Sequence, residues 1–165
     1  MTATGGPPED RPSAGKAGGM TEPAAAEVRL RQASDLPEIL AASFDAFEVV
    51  RLLARRSEDR VAGLFAAFMC TADAAVDGRE AVTLAPSLPE PDASTVAPGE
   101  PTASADLDLV IERLATLGAL LDDRLTGAGA TAADLGDRVA CQGGAAAARR
   151  ICRLMGRGDD DGRLW

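Results

Sequence analysis

Two long stretches of this chain carry their large apolar residues at helical spacing. Neither shows the strict alternation of a half-buried strand, which constrains the chain to an all-α fold. In the first stretch Leu36, Ile39, Leu40, Phe44, Phe47, Val50 and Ala54 share one arc, and Val61, Leu64, Phe65, Phe68, Met69, Ala72 and Val76 continue on that same arc. In the second, Leu107, Val110, Ile111, Leu114, Leu117, Leu121 and Leu125 recur at i, i+3, i+4 and i+7. Between them Pro86, Pro89, Pro91, Pro98 and Pro101 deny both a helix and a central strand.

These signals divide the chain. Residues 1–33 show no sustained apolar periodicity and are expected to remain a disordered tail, because too little surface is available there to offset the entropy of ordering. Residues 34–78 read as one long amphipathic helix or as a helical hairpin. Asp35 and Glu38 stand at capping-box spacing with Pro37 in the first turn, and Asp77-Gly78 supplies a stop. The segment RRSEDR in the middle has no Gly or Pro, and the apolar phase survives it. Both observations favour a single helix kinked at Ser57 and Glu58 over a hairpin capped by Ser57. Residues 79–103 are a Pro-rich linker, and residues 159–165 an acidic C-terminal tail.

Residues 104–158 are expected to form a three-helix unit. Its first helix starts near Ser104 or Asp106 and ends at Gly127 and Gly129, and Thr131 with Asp134 then marks a new N-terminus. Beyond it the apolar face rotates across Gly143-Gly144. A single helix there would have to be apolar on both sides and carry two glycines costing about 2 kcal/mol. Two short helices, 131–141 and 144–156, are the simpler expectation.

Charge is uneven along a chain whose net charge is -9. Residues 128–158 are the basic segment, with five Arg against two Asp. Arg149, Arg150, Arg153 and Arg157 cluster on one face of the last expected helix, opposite Ile151, Leu154 and Met155. The stretch TAADLGDRVACQGGAAAARRICRLMGRG resembles the helix-turn-helix of winged bacterial regulators, with Thr131 as cap, Leu135 and Val139 as core, and Ile151 and Leu154 closing the unit. The resemblance implies DNA contacts by the four arginines. It departs from the family in placing Gly144 to Ala148 where base-reading side chains belong, and Asp159-Asp160-Asp161 leaves no room for a wing. The plainer alternative is a solvated basic face.

Several chemistries are excluded or unsupported. With no His, Ser-His, Cys-His and phosphohistidine machinery is absent from this chain, and no cofactor or metal motif replaces it, so no enzyme is expected. Glu58-Asp59 and Asp122-Asp123 are neighbours that diverge by about 100° on a helix and do not converge on a metal. The stretch Gly127 to Ala132 mimics a dinucleotide fingerprint, yet it follows a helix where that motif needs a strand. Arg157-Gly158-Asp159 is a chance tripeptide. Cys70, Cys141 and Cys152 form no CxxC pair and no secretion signal or membrane span is visible, so the cytoplasm is the expected compartment.

What remains is an interaction protein. With 34 Ala and only Phe44, Phe47, Phe65, Phe68 and Trp165 as aromatics, the chain has little large apolar surface with which to cover its own first stripe. Leu36, Leu40, Phe44, Phe47, Val50, Val61, Phe65, Phe68 and Met69 are therefore the expected contact face for a helical partner or a second copy. The alternative is a DNA-binding regulator working through residues 131–157.

Overall fold

The computed structural model describes residues 22–60, 62–90 and 106–156. They are all-helical: α1 (Glu22–Gln32), α2 (Leu36–Ser57), a single 3-10 turn (Ala62–Leu64), α3 (Phe65–Thr83), α4 (Leu107–Thr131) and α5 (Leu135–Leu154). The helix starts follow from short-range chemistry. Asp35 caps α2 by accepting from the Glu38 N–H at 2.9 Å, and the Glu38 carboxylate in turn accepts from the Ser34 N–H and hydroxyl. Those bonds hold the Glu38 carboxyl below its ordinary range, the Ser34 backbone N–H having the largest effect. Asp106 and Asp134 cap α4 and α5 in the same way.

Four helices form a ring in which α2 packs on α3, α3 on α5, α5 on α4, and α4 back on α2, while α1 lies across α2 and α4. Both helical stretches therefore share one core. Phe47 and Phe68 are fully buried at its centre with Leu40, Leu114, Leu117, Leu121, Leu125 and Ile151, each worth about 1.5–3 kcal/mol of burial. The alanines Ala46, Ala54, Ala72, Ala74, Ala140 and Ala148 are buried between the helices and let the backbones approach closely.

Glycine closes the tightest contacts. A Cβ on Gly78 would stand 2.4 Å from the Phe47 ring, and one on Gly144 would stand 2.8 Å from Leu125 and 3.2 Å from Val82. At the α2–α3 face Glu48 accepts from Arg51 at 2.6 Å and from Arg79 at 2.9 Å, and the Arg79 guanidinium lies 4.3 Å over the Phe44 ring.

Four expectations are corrected. The segment 35–77 is a hairpin and not one long helix: the Ser57 hydroxyl turns back onto the Leu53 carbonyl, and Arg55 reaches both Glu58 and Asp73 across the turn. Folding back lets the Phe47 and Phe68 stripes bury each other, which outweighs the unbroken phase. Gly78 is no stop, since α3 runs on to Thr83, inside the expected linker. Residues 135–154 form one helix across Gly143-Gly144, not two, because α3 and α4 pack closely on α5 where the glycines lie, Gly143 against Ala81 and Gly144 against Leu125 and Val82, while Leu135 and Val139 are left outside the buried arc. Within the expected tail, residues 22–32 form α1, with Pro23 in the first turn and Ala26, Leu30 and Ala33 buried at i, i+4 and i+7. The rest of that tail, most of the Pro-rich linker and the acidic tail from 159 lie outside the described residues.

Candidate interaction surface

The start of α5 is anchored from two sides. Asp134 accepts from the Gly136 N–H at 2.6 Å and from the Asp137 N–H at 3.2 Å. Asp137, only 1% exposed, turns inward and accepts from the Ser87 N–H at 3.0 Å and the Ser87 hydroxyl at 2.7 Å. This carboxylate pins the turn after α3 against α5, where Pro86 sits 3.0 Å from the position of a Gly136 Cβ. Two turns further on, Gly143 faces Ala81. With the register fixed at both points, Leu84 is level with the first turns of α5.

Three large apolar side chains are strongly exposed in this region: Leu84, at the C-terminal end of α3, is 78% exposed, and Leu135 and Val139, one turn apart on α5, are 66% and 59% exposed. Leu135 and Val139 were expected as core. The buried arc of α5 instead holds Ala140, Gly144, Ala147, Ala148 and Ile151, on the side away from Leu135. Further along the same outer face come Ala146 and then the basic end. There Arg149 bonds Asp122 at 2.8 Å, Arg150 bonds Asp77 at 3.1 Å, and Arg153 is exposed. Both ion pairs lie at the surface, where such pairs contribute little and part readily. Asp134 and the exposed Glu80 rim the apolar end. Arg138 is exposed there too, between Leu135 and Val139, so the outer face runs from an apolar end that carries both signs of charge to a basic end.

The other expected residues are placed as follows. Leu40, Phe47, Val50 and Phe68 are buried inside the chain itself, so the partner-helix stripe is covered by α3 and the rest of the bundle and not left open. Leu36 and Phe44 are half-buried against the same core, Met69 is half-buried, and Phe65 is 43% exposed. Val61 and Arg157 lie outside the described residues. The turn that a helix-turn-helix would need near residues 142–144 is absent, since those residues are mid-helix.

Chain-wide comparison is silent. No family model, no curated protein and no solved structure matches. Among the described residues no group of three or more Cys, Asp and Glu side chains could hold a metal, and no described helix is long and apolar enough to cross a membrane. Cys141 is buried, and desolvation, with the nearby Asp137 charge, pushes its thiol pKa up, away from a reactive thiolate. Two open depressions flank the bundle, one between α4 and α5 at Leu125, Gly129, Gln142 and Arg149, the other at Ser34, Ile39, Arg124 and Ala128.

Sequence reasoning missed Leu84, Ser87 and Asp137. Leu84 and Ser87 stood inside the expected linker and Asp137 in the middle of the expected helix 131–141. The signal available was the helix start at Asp134, which turns Leu135 and Val139 outward once α5 is continuous.

Proposed function

We propose that this is a non-enzymatic assembly protein that pairs with a second copy of itself through the outer face of α5. The observation that carries the reading is the exposure of Leu135 and Val139, one turn apart on that face, with Leu84 exposed at the C-terminal end of α3. Charge order supports a second copy as the occupant. Two α5 helices crossing antiparallel bring Arg150 and Arg153 of one copy to Asp134 and Glu80 of the other, and lay the arginine stems over Leu135 and Val139. The contact is self-complementary, as a two-fold dimer requires.

Light scattering across a concentration series tests it. The expected result is a monomer-dimer equilibrium that a Leu135→Asp, Val139→Asp variant abolishes without changing the melt, since both side chains are already exposed in the monomer. A constant monomer mass at the highest concentration overturns the reading. So does a variant that dimerises as well as the original. If the monomeric protein instead binds duplex DNA with affinity falling as salt rises, the regulator reading replaces this one.

A further inference from the structure

The α1 helix is held differently from the rest of the bundle. Its wholly buried apolar contribution is Ala26, Leu30 and the following Ala33, with Leu30 the one large side chain, whereas α4 alone buries Leu114, Leu117, Leu121 and Leu125. Polar clasps do the remainder. Glu27, 8% exposed, accepts from Arg113 of α4 and from Arg31, each at 3.2 Å. Arg29 bonds Asp45 of α2 at 2.7 Å with both side chains about two-fifths exposed. Arg124 donates to the Ala33 carbonyl, while its Nε is buried without a partner. This clasp is therefore incompletely satisfied at the C-terminal end of α1.

Beneath α1 runs a seam between α2 and α4. On α2, Ala42, Ala46 and Val49 fall outside the main apolar arc of that helix yet are buried, and Asp45 beside them bonds Arg29 of α1, so this is the side of α2 that α1 covers. An apolar seam with one arginine at each end, Arg113 and Arg124, is a receptor for a short helix bearing small apolar residues at i and i+4 and a carboxylate beside them. We infer that the α2–α4 seam is a helix-docking groove, and that α1 is a displaceable cover occupying it in cis. The bond network names the chemistry of a competing helix: Ala and Leu toward the seam, one Glu to reach Arg113, and a C-terminal carbonyl for Arg124.

Hydrogen exchange on the unmodified full chain tests the cover. Amides of residues 24–33 are expected to exchange at least about 100-fold faster than those of 114–125, and faster still when NaCl is raised from about 0.05 M to about 1 M, with 114–125 unchanged. Exchange of α1 at the rate of the α4 core, or a local opening indifferent to salt, overturns it. The groove is tested with a labelled peptide of residues 22–33 added to the full chain. Glu27→Gln, which keeps the shape and removes the charge that Arg113 holds, frees the groove more often and should tighten peptide binding by the same factor as it speeds α1 exchange. A peptide that binds neither protein overturns the docking groove.

Discussion

Alanine at position 78 would drive its methyl group into steric overlap with the Phe47 ring, with Cε1, Cζ and Cδ1 at 2.4, 2.5 and 2.9 Å. On a free helix Gly→Ala would stabilise by about 1 kcal/mol. Here that gain is opposed by overpacking, which costs about 1–3 kcal/mol, and the upper part of that range applies because the ring has nowhere to go. Phe47 is fully buried, so its ring can yield only by displacing the core side chains around it. The expected net effect is a loss of about 1–2 kcal/mol, or a fall in melting temperature of roughly 4–8 °C. Urea unfolding followed by far-ultraviolet circular dichroism reads it directly. Gly127→Ala is the internal control: it lies in α4 with nothing within 4 Å of the new Cβ and should gain about 0.5–1 kcal/mol. Combining Gly78→Ala with Phe47→Leu should cost less than the two changes added, since the smaller side chain relieves the clash. If Gly78→Ala stabilises as Gly127→Ala does, the close approach of α2 and α3 is wrong.

Three further outcomes follow from the geometry. Asp137→Ala strands the Ser87 N–H and hydroxyl and should lower stability by about 2–3 kcal/mol in the same urea assay. Glu48 is held below its ordinary carboxyl value of 4.5 chiefly by the Arg51 hydrogen bond, then by the charges of Arg51 and Arg79, with burial opposing. Its contribution, at most about 1 kcal/mol after solvent screening, is complete above pH 4.5 and lost as pH falls through the lowered pKa, so Glu48→Gln should flatten the stability loss in acid melts. Cys141, buried with its thiol pKa raised, should resist alkylation at neutral pH until the protein unfolds, while the half-buried Cys70 and Cys152 react sooner; mass spectrometry of the alkylated peptides distinguishes them.

The helical class was legible because Leu36 to Ala54 and Leu107 to Leu125 declare a single period, and the Asp35 cap was legible because its partners lie within four residues. Three features were hidden for one shared reason: they depend on a neighbour distant in the chain. Gly143 and Gly144 look like a break until Ala81, Val82 and Leu125 are placed against them. The connection after Ser57 looks continuous until Phe68 folds back toward Phe47. The α1 segment looks featureless because what holds it, Arg113, Asp45 and Arg124, comes from other helices. The same dependence governed the surface. The Phe44 to Phe68 stripe was read as a contact face because the chain's own capacity to cover it was underestimated, and the side chains left open, Leu135 and Val139 with Leu84, emerge only when α5 is seen as one helix whose buried arc lies opposite Leu135.

The antiparallel crossing of two α5 helices makes a geometric demand that a mass measurement alone does not. Ala146, exposed near the middle of the outer face, must lie close to its counterpart in the second copy, while Leu109, also exposed but at the start of α4, must not. The deciding measurement is thiol cross-linking of Ala146→Cys with a short bis-maleimide, in a chain carrying Cys70→Ser and Cys152→Ser, beside the equivalent Leu109→Cys. Covalent dimer from Ala146→Cys alone, lost when Leu135→Asp and Val139→Asp are added, is the predicted result. Equal cross-linking from both positions, or none from Ala146→Cys at concentrations where light scattering shows dimer, would contradict pairing through α5.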